Sequence, residues 1–139
     1  MTAIRYSFDI DDVDWAALKA TLIADDFDNG RTPEQYRLSA ENSALNCFAW
    51  AGDRVIGTVR ALSDGVGNAY IVDVWTHSEF RQQGIARRMM DLTLEQLPGQ
   101  HVYLFTDDDA IGFYEKIGFK RQGIGLYRIV GKYLENDGR

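Results

Sequence analysis

Apolar and polar positions change period several times along the chain, and each change marks an element. Residues 3–8 alternate loosely and predict a first strand. Trp15, Leu18, Leu22 and Ile23 recur at helical spacing behind Asp11 and Asp12, either of which can cap a helix. Residues 25–31 are polar and contain Asn29-Gly30, a turn signal. Thr32-Pro33-Glu34-Gln35 places an N-cap residue before a proline at the first helical position and predicts a second helix ending near Asn42. Residues 45–51 and 54–62 read as two strands joined at Gly52-Asp53, a hairpin connection. A loop over 63–68 leads to a fourth strand at 69–76, Ala-Tyr-Ile-Val-Asp-Val-Trp-Thr. A helix is expected from Gly84 to Leu97, where Pro98-Gly99 stops it. Residues 101–106 are almost continuously apolar, as in the middle of a sheet. A helix over 109–117 follows, with Gly118 suited to the left-handed position beyond its end. Two last strands are expected within 119–134, separated by Gly123 and Gly125. The predicted order is β-α-α-β-β-β-α-β-α-β-β, and the helix between the fourth and fifth strands makes them parallel neighbours through a right-handed crossover.

Composition narrows the function classes. The 139 residues suit a single domain over 1–139, which buries about 70% of the surface of its unfolded chain. Hydrophobic residues at 45% and charged residues at 26% are those of a globular protein. The net charge of −6 disfavours nucleic-acid phosphate as a partner and leaves room for a cationic acceptor. Cys47 is the single cysteine and sits in the apolar run 44–51, so a buried structural thiol is expected rather than a disulfide or a nucleophile. The N-terminus shows no basic segment followed by an apolar run, and no stretch is long and apolar enough to span a bilayer. The expected location is the cytoplasm, with no membrane partner.

One segment departs from ordinary helix chemistry. In Arg81-Gln82-Gln83-Gly84-Ile85-Ala86-Arg87, the last arginine and Arg88 fall in the first turn of the predicted helix. Cations there oppose the helix dipole at a cost of roughly a few tenths of a kcal/mol each. Gly84 lets a ligand approach the backbone, and the free N–H groups of the first turn can bind phosphate oxygens. Arg81, Arg87 and Arg88 can add charge-assisted contacts. The alternative is a surface helix with scattered arginines. Position favours a diphosphate cradle, because the segment follows a strand and opens a helix.

Arg81-Gln82-Gln83-Gly84-Ile85-Ala86 resembles the cofactor motif of the GNAT N-acetyltransferase superfamily, written Arg/Gln-x-x-Gly-x-Gly/Ala after the fourth strand. Asp107-Asp108-Asp109-Ala110-Ile111-Gly112-Phe113-Tyr114-Glu115-Lys116-Ile117-Gly118-Phe119 resembles the family's second motif at the family's spacing, with Asp107 where asparagine is common. Close resemblance covers about 69–119. It implies an α/β (α+β) fold with a mixed sheet of about seven strands, splayed between strands 4 and 5, and acetyl-CoA as co-substrate in the cleft, with no metal. The pantetheine arm would pair with the backbone of Val74 and Thr76 across Trp75. The pyrophosphate would lie on Gln82, Gln83, Gly84, Ile85, Ala86 and Arg87, with Arg81 and Asp107 nearby. The resemblance assigns Tyr114 to protonating the coenzyme A thiolate, and it is compatible with a homodimer.

Acyl transfer to an amine needs a neutral nucleophile, a polarised carbonyl and a proton for the thiolate. Direct transfer needs no protein nucleophile, which fits the absence of a Ser/His/Asp or Cys/His set. Tyr114 shares a helix face with Ala110, and a phenol stays protonated at neutral pH. Taken by itself it reads equally as a core aromatic beside Phe113 and Ile117. The N–H of Val74 is the expected oxyanion donor. Asp73, a carboxylate inside an apolar strand, is a candidate base, with binding of the acceptor's ammonium or capping as alternatives. His77 could also serve as the base but reads as a solvated loop histidine, His101 reads as structural, and the Asp107-Asp108-Asp109 run reads as helix capping, with acceptor binding as the alternative. Trp75, Tyr103, Tyr127 and Tyr133 form a weak pattern for an aromatic acceptor pocket. The expected function is N-acetylation of a small-molecule amine. A peptide acceptor, a non-catalytic acyl-CoA-binding domain and a small doubly wound nucleotide-binding domain are the competing readings.

Overall fold

Five strands share one sheet in the order β1-β2-β3-β4-β5 among the residues the structure describes, 3–134. The structure is a computed structural model. The strands are β1 Ile4–Ser7, β2 Leu45–Ala51, β3 Arg54–Ser63, β4 Asn68–Thr76 and β5 His101–Tyr103; the helices are α1 Trp15–Ala24, α2 Pro33–Glu41, α3 Ile85–Glu95 and α4 Ile111–Lys116. Strands β1 to β4 pair antiparallel, and β5 joins β4 in parallel through α3.

Strand β2 shows why so much of the sheet is apolar in sequence. Its residues alternate between two cores, so both faces are buried. Cys47 and Ala49 face α3 and pack with Val59, Ala61, Ile71, Met89 and Met90. Phe48 and Trp50 face the other way and pack with Leu18, Leu22, Tyr36 and Trp75 beneath α1 and α2. Burial pushes the Cys47 thiol up to about 11, so it stays an uncharged packing group.

Local chemistry sets the helix ends. The capping box at α2 is as the sequence predicts: Thr32 accepts from Gln35 N–H, and the Gln35 side chain accepts from Thr32 N–H. At α1 the cap is Asp14, accepting from Ala17 N–H at 3.0 Å, rather than Asp11 or Asp12. Those two sit inside the turn closed by Val13 N–H on the Ile10 carbonyl, so Asp14 is the extended residue that enters the helix.

The C-terminal third departs from the sequence pattern. Strand β5 ends at Tyr103 rather than 106, and 119–134 forms no strand, which leaves five strands where about seven were expected. Ile124, Leu126 and Tyr127 are 90%, 87% and 90% exposed. Ile124 and Leu126 lie two apart, as side chains on one face of a strand do, but a strand needs a paired neighbour, and Gly123 and Gly131 are left-handed. Helix α4 starts at Ile111 rather than 109, because Asp107 folds back to cap Ala110 N–H at 3.0 Å. Gly118 takes the left-handed conformation just past that helix.

Met89 holds α3 on the sheet. It is fully buried, and its methyl end lies over Gly57, where a Cβ would come within 2.8 Å of it. Met89→Ala is expected to cost about 3 kcal/mol through lost burial and the cavity left over Gly57. A fall in the urea midpoint at unchanged m-value checks this.

Candidate active site

The cleft begins where β4 loses a neighbour. Parallel pairing with β5 registers at Asn68↔His101, Ala69↔Val102 and Tyr70↔Tyr103 and goes no further, while β4 runs on to Thr76. The second half of β4 therefore presents an open edge, at the splay expected between the fourth and fifth strands. On its other side β4 bulges. Arg60 faces Val72 and Thr58 faces Trp75, so Asp73 and Val74 share the place opposite Val59. Asp73 takes φ +54, a left-handed conformation costing a residue with a Cβ roughly 1–2 kcal/mol. Bulges of this kind re-aim backbone and side chains beside sites.

Asp73 is not a lone carboxylate. Its Oδ2 accepts from Arg60 Nε at 2.9 Å and lies 3.6 Å from Arg31 Nη1, while Thr58 Oγ1 donates to its carbonyl at 2.7 Å. Arg60 also donates to Ser43 Oγ at 3.1 Å and is 8% exposed. With both guanidinium groups on one oxygen, the geometry fits an anchor for the bulge better than a base. The sequence carried a signal for this pair: Arg60 and Asp73 are lone opposite charges inside neighbouring apolar strands.

The cradle opens on the same edge. Gly84 begins α3 at φ 78 and ψ 11, with no side chain capping the helix, and Gln82 is also left-handed at φ 63. Two left-handed residues thus precede a first turn whose N–H groups have no side-chain cap, the kind of helix start that suits an anion. A cavity of about 360 Å³ adjoins it, lined by Thr76, Phe80, Gln82, Gly84, Ala86 and Phe113 among others. Thr76 Oγ1 is buried there without a hydrogen-bond partner, a polar atom that a ligand group would satisfy. A Cβ on Gly84 would meet nothing within 4 Å, so conformation rather than crowding calls for glycine.

The flanking side chains take varied roles. Arg81 folds back, donating from Nε to the Thr76 carbonyl at 3.1 Å and lying 3.8 Å from Asp25. Arg87 pairs with Asp91 one turn on, at 3.2 Å, which offsets its unfavourable place at the helix start. Ile85 points into the core, leaving only its backbone to the cradle, and Gln83 is exposed. Val74 packs against the α3 core. Trp75 is buried on the α1 face beside Phe27 and His77, with its indole N–H on Asp25 at 3.0 Å. Tyr103 stacks on His101 and Tyr127 is exposed, so Trp75, Tyr103 and Tyr127 share no pocket. His77 Nδ1 accepts from Glu79 N–H at 3.1 Å, a local cap.

Helix α4 stands between two cavities. Phe113 lines the cradle cavity, and Tyr114 lines a second of about 490 Å³ along β5 and its continuation. Tyr114 is 8% exposed, held by Phe113 and Phe119 ring edges at 5.1 and 5.9 Å, and its hydroxyl has no hydrogen-bond partner among the described residues. Burial, with the nearby Asp107 charge, raises its pKa above the usual phenol value. Asp107 spends its Oδ1 on capping Ala110, and its charge is felt at Tyr114. Asp25, which the sequence showed only as part of a polar turn, joins β4 to the cradle.

Residues 11–119 match the acetyltransferase (GNAT) family. The uncharacterized N-acetyltransferase ycf52 of Porphyra purpurea is 36% identical over 76 residues, 52% of this chain and 44% of that protein. Histone acetyltransferase TAP1 of Glycine max is 33% identical over 52% of this chain and 33% of its own length. The chain thus spans less than half the length of these curated relatives. A solved structure from Deinococcus radiodurans R1, classed as an acetyltransferase, superposes with a TM-score of 0.78 at 29% identity, covering 92% of this chain and 93% of that one. With the family pattern matched over most of its length, the chain belongs to the GNAT acetyltransferase family.

Proposed function

We propose that the protein transfers an acetyl group from acetyl-CoA to a primary amine by direct attack in a ternary complex, with a small-molecule acceptor favoured. The observation that carries this is the uncapped, left-handed start of α3, with the orphaned Thr76 hydroxyl beside it and the open half of β4 alongside. Anionic groups of the co-substrate suit the N–H concavity formed by Gln82 to Arg87. An extended arm suits the unpaired backbone of Val74 and Thr76, as an added strand would.

Each chemical demand has a resident group. The Val74 N–H, in the bulge, is the donor this reading assigns to the charge developing on the thioester oxygen. The amine attacks, the tetrahedral oxyanion collapses, and the C–S bond breaks. The departing thiolate takes the Tyr114 proton, the acetylated nitrogen releases its own to solvent, and solvent returns a proton to the Tyr114 phenolate. Asp73 holds the bulge through Arg60 and is left out of proton transfer. A protein amine is the second reading, favoured by the Glycine max relative named a histone acetyltransferase.

Incubation with acetyl-CoA and a panel of small amines and lysine peptides, following free thiol release, tests the proposal. Turnover with small amines is expected, and coenzyme A binding without turnover on any acceptor would leave a binding domain instead. In the same assay Tyr114→Phe is expected to lower kcat about a hundredfold with little change in the acetyl-CoA KM.

The pH profile gives a second check. The acid must be protonated, so kcat falls as pH rises through the Tyr114 pKa, which lies above the ordinary phenol value. Asp107→Asn keeps the cap on Ala110 and removes the charge. The alkaline limb is therefore expected to move to lower pH.

Gly84→Val forces a branched residue into φ +78. The acetyl-CoA KM is expected to rise about tenfold, following roughly 1–2 kcal/mol of backbone strain at the cradle. Steady-state kinetics at saturating amine reads this out.

A further inference from the structure

We propose that Asp25 is a positioning residue for the cofactor cradle, acting through Trp75 and Ser78; this rests on the acetyl-CoA reading above. Asp25 follows the last residue of α1 and caps it. A carboxylate at a helix C-terminus faces the negative end of the dipole, an unfavourable place that needs compensating donors. Here it has them, and all come from one distant segment. Oδ2 accepts from Trp75 Nε1 and from Ser78 N–H, each at 3.0 Å. Oδ1 accepts from Ser78 Oγ at 2.5 Å, and Arg81 Nη2 lies 3.8 Å from Oδ2.

The donors span the stretch where β4 hands over to the cradle. Trp75 is the second-last residue of β4, and Ser78 begins the one-turn 3-10 helix Ser78–Phe80. Arg81 and the left-handed Gln82 and Gly84 follow at once. The Asp25 side chain is 7% exposed and its bond from Trp75 is part-buried, so water does not replace that bond cheaply, while the two Ser78 bonds lie nearer the surface. Burial works against its charge, but the hydrogen bonds from Ser78 and Trp75 outweigh it and hold the carboxyl below its usual pKa. It is therefore ionised at neutral pH and accepts on both oxygens.

The loop that Asp25 opens is also fastened at its far end. Arg31 reaches Asp73 on the bulge at 3.6 Å. Between them, Lys19 binds Asp28 and Asn29, and the Asn29 side chain accepts from Arg31 N–H at 3.0 Å. The α1–α2 loop is a preshaped strap pinned to β4 before and after the site of the expected thioester. Asp25 is the pin nearest the pyrophosphate. Releasing it frees Ser78–Phe80, and with it the angle at which Gln82 and Gly84 present their N–H groups.

The test is coenzyme A binding by calorimetry, joined to acetyl-CoA and amine KM values, for the wild type, Asp25→Ala, Asp25→Asn and Ser78→Ala. Asp25→Ala is expected to weaken coenzyme A binding about tenfold and raise the acetyl-CoA KM in step, with amine KM and kcat within about threefold. Asparagine keeps an acceptor for Trp75 and Ser78 N–H, so Asp25→Asn is expected to recover most of the affinity. Ser78→Ala is expected to lose about threefold. If the wild type binds coenzyme A and Asp25→Ala binds it as tightly, the positioning role is overturned and the acetyl-CoA reading stands, even where the melting temperature falls. If the wild type itself binds no coenzyme A, both fall. Should Asp25→Ala not fold, an unchanged affinity in Ser78→Ala overturns the role.

Discussion

Strand β4 must stay with β3 as far as Thr76 while releasing β5 after Tyr70, and the rest of the site follows from that division. A strand in a sheet centre ordinarily has both edges satisfied. Here a bulge at Asp73-Val74 turns the strand just past the last β5 pair, and the parallel partner is left behind. The bulge has a built-in restraint. Arg60 reaches across from β3 to the carboxylate of the left-handed residue, so the distortion is held by a buried, hydrogen-bonded charge pair. The strained backbone, the ion pair and the open edge are one construction.

The cradle repeats the same logic in backbone alone. Helix α3 starts with no side-chain cap and with glycine in a conformation other residues resist. Its core face is nonetheless fixed: Ile85, Met89 and Met90 are buried against β2 and β3. The helix is therefore secured from its sides and left unsatisfied at its tip. A first turn that was capped, or a helix that was loosely packed, would lose the aim of those N–H groups.

Much of this was legible in the sequence, for identifiable reasons. The capping box at Thr32 and Gln35, the hairpin at Gly52-Asp53 and the left-handed Gly118 are decided by neighbours along the chain. Gly84 was readable for the same reason. Asp73 was visible as an oddity, but its partners were not, since Arg60 and Arg31 reach it only once β3 and the α1–α2 loop are in place. Asp25 was harder still. It lies in a polar turn, and its donors Trp75 and Ser78 are some fifty residues away in the chain. The strands expected in 119–134 failed for the converse reason: apolar residues such as Ile124, Leu126 and Tyr127 mark a capacity to pair, while pairing needs an edge in reach.

The open half of β4 also bears on how the protein behaves when no ligand is bound. An unpaired strand edge is sticky toward any extended chain, whichever molecule supplies it. A co-substrate that lies along Val74 to Thr76 would shield that edge as well as react beside it. By mass action it would also favour the folded protein over misassociated forms. On that reading, the supply of the co-substrate would bear on how long the protein persists as much as on how fast it works.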